Sequence, residues 1–295
     1  MNVNWGLWGW IGARGQATRF SLARPGSCRN TAKGEFMRAI ILSAGQGKRL
    51  HPHTAEIPKC LLPVRGEEPV LEVQLRALAA CGVSEASVLV GFGSQRVEDF
   101  LCDHRLPGIR VKTVYNPFFA SSDNLATCCW ARSEMQGDFI LLNGDTLFES
   151  AVPERLLASP PAPLTLVVNQ KAAYDDDDMK VAVDAQGRLR AVGKTLDPAI
   201  VNGESIGLMF FRGEGPRIFR DALEAAIREP SALRAWYLSV VNRIAWRTRV
   251  ETASITGLWW GELDTPDDLE QVRSGFASMQ AERLLAREQP VVAHA

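Results

Sequence analysis

A chain of 295 residues with 46% hydrophobic and 23% charged residues has the composition of one folded domain with elaborations, which excludes a disordered or fibrous protein. A formal net charge of -1, without any dense Lys/Arg block, excludes the long-range field that grips a polynucleotide, and no run of apolar residues is long enough to span a bilayer. The cysteines (Cys28, Cys60, Cys81, Cys102, Cys128, Cys129) contain no Cys-x-x-Cys pair and sit in apolar or periodic segments, so they read as reduced thiols of a cytoplasmic protein rather than a disulfide frame or a metal site.

In chain order, residues 1–36 stand apart: Trp5, Trp8 and Trp10 cluster, Arg14, Arg19, Arg24 and Arg29 follow, and no acid occurs before Glu35. The stretch lacks the apolar core of a secretory signal and reads as an extension, a misassigned start upstream of Met37 or a disordered stretch, against a targeting or interaction segment. A strand over 39–42 then runs into Gly45-Gln-Gly47, followed by Lys48, Arg49 and, nine residues beyond Leu50, Lys59. Helical spacing over 69–81 stops at Gly82, and a strand over 86–90 completes a strand-helix-strand unit. The pattern continues with a short helix over 95–102, a strand over 110–115, a helix over 123–135 and a buried strand over 138–142.

The second half changes character. Strands over 164–169, 179–183 and 205–212 alternate with turns, and helices follow over 216–228 and 235–246. Strands over 249–255 and 258–260 precede a last helix, opened by Thr265 with early acids, and residues 286–295 form a tail. The acid run Asp175 to Asp178 reads as a solvated turn. This alternation predicts an α/β fold, a doubly wound and mostly parallel Rossmann-like sheet flanked by helices, with ligands at the carboxyl ends of the strands. Residues 37–285 form the domain, in which 37–145 is the nucleotide-binding half and 146–285 an acceptor-binding elaboration.

The glycine loop carries the chemistry. Gly45 and Gly47 let backbone approach an anion, and Lys48, Arg49 and Lys59 supply the charge that three phosphates require. The loop is neither a dinucleotide fingerprint, which needs a third Gly where Leu50 stands, nor a Walker A loop, whose glycines lie farther apart. Asp145 follows a buried strand, while Glu262 and Asp264 alternate on an extended segment and face the same way. Three such acids, Asp145, Glu262 and Asp264, suit Mg²⁺, a hard cation that bridges phosphates. His51 and His53 beside the loop read as solvent-exposed.

Leu42-Ser-Ala-Gly-Gln-Gly-Lys-Arg-Leu50 with Pro58-Lys59 resembles the signature of the nucleotidyltransferases that join an NTP to a phosphorylated small molecule, whose fold is of the GT-A type. The resemblance implies a nucleotide site of Leu42, Ser43, Ala44, Gly45, Gly47, Lys59, Asn124 and Asp145. Catalysis would fall to Lys59 at the α-phosphate and to Arg49, which with the loop N–H groups would hold the β- and γ-phosphates. Asp178-Met-Lys-Val181, Val192-Gly-Lys194 and Asn202-Gly-Glu-Ser-Ile-Gly207 further resemble the branch that uses CTP with phosphocholine or aminoalkylphosphonate acceptors. Lys180 and Lys194 would then bind the acceptor's phosphate or phosphonate, and Asn124 with Asp123 would lie near nucleotide or acceptor. A cationic headgroup would be held by aromatic faces and acids, with Trp236, Tyr237 and Trp130 and the carboxylates of Glu204 and 175–178 as candidates. The competing readings are a sugar-1-phosphate nucleotidyltransferase and a catalytically silent nucleotide-sensing subunit. A metal-dependent glycosyltransferase should show an Asp-x-Asp after a strand, where this chain has Asn143-Gly-Asp145. Oligomeric state is left open, a homodimer included.

Overall fold

The computed structural model describes residues 37–288. The expected extension over 1–36 and the end of the tail lie outside them, as does Cys28. The apolar run after Met37 forms β1 (Met37–Ser43), and the chain then turns twice in 3-10 conformation at Lys48–Leu50 and Lys59–Leu61. A small hairpin, β2 (Pro63–Arg65) and β3 (Glu68–Pro69), leads into α1 (Val70–Ala80), β4 (Val83–Val90), α2 (Ser94–Asp103), β5 (Arg110–Tyr115), α3 (Asn124–Trp130) and β6 (Phe139–Asn143). There follow β7 (Thr146–Phe148), α4 (Ala151–Leu157), β8 (Leu164–Asn169), β9 (Lys180–Val183), β10 (Leu189–Gly193) and β11 (Gly203–Phe211). The chain closes with α5 (Gly215–Ala226), α6 (Leu238–Ala245), β12 (Val250–Ser254), β13 (Trp260–Glu262) and α7 (Pro266–Glu288).

The main sheet runs β10-β9-β11-β6-β1-β4-β5, with β8 also on β11 and β12 on β8. One half of it is parallel: β6, β1, β4 and β5 all point the same way. At the centre β11 runs antiparallel to β6, β8 and β9, so the sheet as a whole is mixed. All nine residues of β11 are buried, and a strand buried on both faces carries no alternation from which its direction could be read.

Successive residues of β1 face opposite sides. Ile40 packs with Phe139, Leu141, Met209, Phe211, Phe219 and Tyr237 under α3, α5 and α6. Ile41 packs with Leu71, Leu75, Ile140, Leu142 and Phe210 under α1 and α4. A third cluster, holding Leu50, Leu62, Leu147, Leu263 and Phe276, ties the glycine-loop region to β7, β13 and α7.

Several boundaries differ from expectation. The helix expected over 123–135 tightens into a 3-10 turn at Ala131–Glu134, and the one expected over 235–246 begins at Leu238. Ala235 and the Tyr237 N–H are instead drawn to α3, where Leu125 N donates to Ala235 O and Tyr237 N to Asn124 Oδ1. The strand expected over 258–260 is displaced to β13, because Gly257 at φ +84° turns the chain and Leu258 N bonds back to Ile255 O. Helix α7 continues to Glu288, past the expected domain boundary at 285. The short elements β2, β3, β7, α4 and β10 were not anticipated; they carry too few residues for a period to show. Among the described residues the cysteines are free, and no helix is long and apolar enough to cross a membrane.

Candidate active site

The carboxyl ends of β1 and β6 lie side by side, and Gly144 N donates to Leu42 O at 3.0 Å across them. Only glycine fits there, since a Cβ on Gly144 would stand 2.2 Å from Ser43 Oγ. The turn after β6 is pinned by buried Gln74 of α1, whose amide donates to the carbonyls of Asn143 and Thr146. Asp145 is thereby held beside the glycine loop. Gly47 sits at φ +70°, a conformation that disfavours side chains, and its carbonyl accepts from buried Thr54 at 2.7 Å. A Cβ on Gly45 would meet nothing within 4 Å, so the loop presents bare backbone to open space.

Glu262 and Asp264 reach Asp145 because β13 pairs antiparallel with β7, setting Glu262 opposite Thr146. Leu263 between them is fully buried, and its N–H donates to Asp145 O at 3.1 Å. Asp264 is steadied by the start of α7: Asp268 Oδ2 accepts from the N–H groups of Asp264 and Thr265, while Thr265 Oγ1 accepts from Asp268 N. Lys59 enters from the second 3-10 turn and bonds Asp145 Oδ2 at 2.9 Å and Asp264 Oδ1 at 2.6 Å, with 12% of its side chain exposed. Burial by itself would depress the Lys59 ammonium, but the two carboxylates outweigh it and hold it above its ordinary value. Glu262 reaches the water of the cavity mouth, yet the protein packed around it and the like charges of Asp145 and Asp264 push its carboxyl up to about 8.

Two cavities meet along Asn124, Asn143 and Asp145. The smaller, about 210 Å³, is lined by every residue expected at the nucleotide: Leu42, Ser43, Ala44, Gly45, Gly47, Lys59, Asn124 and Asp145. Ser43 Oγ, Asn143 Oδ1 and Asp145 Oδ1 are buried along this seam without a hydrogen-bond partner, three polar atoms left over by the fold. Asn124 also serves the fold, accepting from Tyr237 N at 2.9 Å.

The larger cavity, about 1120 Å³, is lined by Lys194, Glu204, Trp236, Glu262 and Asp264 and by the acids 175–178. Trp236 stands under the Lys194 ammonium, 5.0 Å from ring centre to Nζ. Arg49 lines this cavity and not the smaller one, bonding Asp264 Oδ2 at 2.6 Å and Asp177 Oδ2 at 3.0 Å. It thus stands beside Asp264, the acid that also binds Lys59.

Lys180, expected at the acceptor, does not line the cavity. It is 8% exposed, and its ammonium donates to the carbonyls of Asp175 and Lys194, which makes it a strut between the acid turn and β10 rather than a cavity wall. Of the aromatic candidates, Tyr237 is buried in the core and Trp130 packs edge-on to Phe118, so neither lines the cavity. The cation that sequence reading missed is Lys171, bonded to Asp178 Oδ1 at 2.8 Å and Glu204 Oε2 at 2.9 Å. Its place just beyond the carboxyl end of β8 was the available signal. Burial raises the Glu204 carboxyl, which also accepts from Asn169 at 2.9 Å, whereas Lys171 and the Asp175 N–H outweigh burial and hold Asp178 below its usual range.

Among the described residues no three His, Cys, Asp or Glu side chains stand arranged as a metal cage; Lys59 lies between two of the three acids. Their chemistry nevertheless fits a hard cation: the donors are oxygens alone, Asp145 Oδ1 is buried and unpartnered, and Glu262 sits uneasily with its like-charged neighbours.

A parallel half-sheet thus ends in a glycine loop and is joined through β6 to an acid-lined second cavity. Residues 39–235 match the MobA-like NTP transferase domain, and the chain belongs to that family. It is similar to the CMP-5'-(3-aminopropyl)phosphonate synthase of Streptomyces rubellomurinus, 31% identical over 256 residues covering 82% of this chain and 39% of the relative. It is also similar to the bifunctional IPC transferase and DIPP synthase of Aquifex aeolicus, 27% identical over 237 residues, 80% of this chain and 50% of the relative. Over 114 residues it is 28% identical to the choline-phosphate cytidylyltransferase of Streptococcus pneumoniae, 39% of this chain and 47% of that one. The chain thus spans half or less of the length of these curated relatives. The solved inositol-1-phosphate CTP transferase of T. maritima superposes with a TM-score of 0.69 at 20% identity, covering 83% of this chain and 98% of that one, a likeness of fold.

Proposed function

We propose that the protein is a Mg²⁺-dependent cytidylyltransferase that transfers CMP from CTP to a small phosphorylated or phosphonylated amino alcohol or alkylamine, releasing pyrophosphate. The observation that carries this reading is the pair of cavities meeting at Asp145, one walled by the glycine loop and the other by nine carboxylate residues against three cationic ones. So acidic a chamber, with Trp236 and two further tryptophans in its wall, favours an acceptor bearing a cation at one end and suits a neutral sugar poorly. CTP is supported by the relatives and the structural neighbour, whose names specify CMP, cytidylyl or CTP chemistry.

In this reaction an acceptor oxygen attacks the α-phosphorus, the bond to the β-phosphate oxygen breaks, and pyrophosphate leaves opposite the attacking atom. The N–H groups of the glycine loop cradle the phosphates. Lys59, already held charged, meets the negative charge that builds on the α-phosphoryl oxygens. Asp145, Glu262 and Asp264 would hold Mg²⁺, which when bound supplies charge neutralisation and alignment of the phosphates. Arg49 with the loop N–H groups would meet the β- and γ-phosphates, Lys194 would hold the acceptor's phosphate or phosphonate, and Trp236 with Glu204 would face its amino end.

The test is pyrophosphate release with Mg²⁺, crossing CTP, UTP, GTP, ATP and dTTP against phosphocholine, phosphoethanolamine, 2-aminoethylphosphonate and sugar-1-phosphates. Turnover with CTP and an amino acceptor is expected. Turnover with sugar phosphates alone would move the protein to NDP-sugar synthesis, and silence throughout would favour a nucleotide-sensing role.

A further inference from the structure

Lys59 belongs to the glycine loop and to the acid cluster at once. Its stem lies against bare loop backbone, for a Cβ on Gly47 would stand 3.1 Å from Lys59 Cδ and 3.2 Å from its Cβ. Its tip reaches the acids, with Nζ 2.9 Å from Asp145 Oδ2 and 2.6 Å from Asp264 Oδ1. The same side chain lines the small cavity together with Gly45, Gly47 and Asp145.

The two oxygens that Lys59 holds belong to acids whose chemistry fits a hard cation. Asp264 Oδ2 also accepts from Arg49, so both oxygens of that carboxylate carry an ion pair, and Asp145 retains Oδ1, buried without a hydrogen-bond partner. A divalent cation that binds through oxygen must compete with the ammonium, because two positive charges drawn to the same carboxylate oxygens repel each other. Resting on the reading above that Asp145, Glu262 and Asp264 hold Mg²⁺ and that Lys59 meets the α-phosphate, we propose that Lys59 is the resident occupant of the metal site. The nucleotide draws its ammonium off Asp145 and Asp264 and so releases them to the cation, and metal and nucleotide bind as a coupled pair.

The geometry permits the exchange. The Lys59 side chain is 12% exposed, whereas those of Asp145 and Asp264 keep 25% and 27% of their surface, so the acids stay within reach of water while the ammonium leaves. With the stem seated on Gly47, the tip moves by rotation about the last bonds of the side chain. The backbone need not follow: Leu62 N donates to Lys59 O, and Cys60 is buried in the core. A cation that finds its ligands free in only a fraction of molecules binds with an affinity reduced by that fraction. A phosphate that holds Lys59 away removes this penalty, and by linkage the metal then tightens the nucleotide by the same factor.

The experiment titrates Mg²⁺ into purified protein by calorimetry, without nucleotide and with saturating CMP, which carries the α-phosphate but chelates metal weakly. UMP, GMP and AMP are run in parallel, and wild type is compared with Lys59→Met, Lys59→Gln and Lys194→Met. The Lys194 ammonium contacts Asp177 and Trp236, so its loss changes net charge equally and reports the general field. Without nucleotide, Mg²⁺ should bind both Lys59 variants about ten- to thirtyfold more tightly than wild type, the factor for acids left free in about 3–10% of molecules. Lys194→Met should stay within about twofold of wild type. CMP should tighten Mg²⁺ about tenfold in wild type and at most about threefold in the Lys59 variants, where only direct attraction between metal and phosphate remains. Mg²⁺ affinity in the Lys59 variants no higher than in wild type overturns the proposal, as does an equal gain in Lys194→Met. A wild-type affinity that no nucleoside monophosphate alters overturns it too. Coupling with a nucleotide other than CMP would sustain the proposal while removing CTP from the assigned reaction, so the two readings fail separately. Met and Gln keep the length of the side chain by different chemistry, so a folding defect in one variant still leaves the other.

Discussion

Lys59→Ala is the sharpest test of how the site is held together. The ammonium bridges Asp145 and Asp264, and its loss leaves those two carboxylates and Glu262 facing one another without a central cation. Removing one partner of a fully buried ion pair costs about 3–5 kcal/mol. Here the Asp145 and Asp264 side chains keep 25% and 27% of their surface, so water screens part of the leftover repulsion. About 2 kcal/mol is therefore expected, a fall in Tm of about 4–8 °C for a domain of this size. The same repulsion makes the variant the better cation binder, because a divalent ion can now occupy the charge-deficient space. Scanning calorimetry should show a larger stabilisation by MgCl₂ in Lys59→Ala than in wild type, even as pyrophosphate release drops by about 10²- to 10³-fold. An unchanged Tm together with an Mg²⁺ response equal to wild type would refute the argument that Lys59 is the counter-charge of the acid cluster.

Two further outcomes follow from the same geometry. The Glu262 carboxyl is pushed up to about 8, so the folded state binds more protons than the unfolded state between about 4.5 and about 8, and this group's contribution to stability falls as pH rises through that window. Glu262→Gln should flatten that slope in metal-free denaturation curves, and Mg²⁺ affinity in wild type should rise across it; identical slopes in the two proteins would exclude the shift. Lys180→Met should destabilise the protein by about 1–3 kcal/mol in urea titrations, because the carbonyls of Asp175 and Lys194 lose their donor. A stability indistinguishable from wild type would return Lys180 to the list of acceptor ligands.

Much of the first half of the domain could be read directly from the chain. Residues 39–42 are apolar and uninterrupted, Gly82 ends a helix, and Thr265 with Asp268 caps another, all signals carried by neighbours within a few positions. Most residues expected around the nucleotide, Leu42 to Gly47 and Asp145, sit at the ends of β1 and β6, which the parallel sheet sets side by side, while Lys59 and Asn124 come from a 3-10 turn and the start of α3. The second half was less legible. Lys180 and Lys194 are alike in sequence, each a cation at an end of a short strand, yet one is sealed beneath the acid turn while the other stands over Trp236.

What the sequence determined by itself was local: the β-α alternation, the glycine loop at 45–47, the caps, and the oxygen-rich chemistry of the acids. The tertiary structure alone decided which charges meet. Lys59 finds partners 86 and 205 residues away, and Arg49 and Lys194 share Asp177 although they lie on different halves of the domain. It also decided that β11 runs antiparallel through the centre of the sheet, and that β13 carries Glu262 and Asp264 to Asp145 by pairing with a three-residue strand. The physical reason is one of range. Propensity and periodicity act over a few residues, whereas the partner of a buried charge is fixed by where packed elements aim their side chains and by the cost of leaving that charge alone.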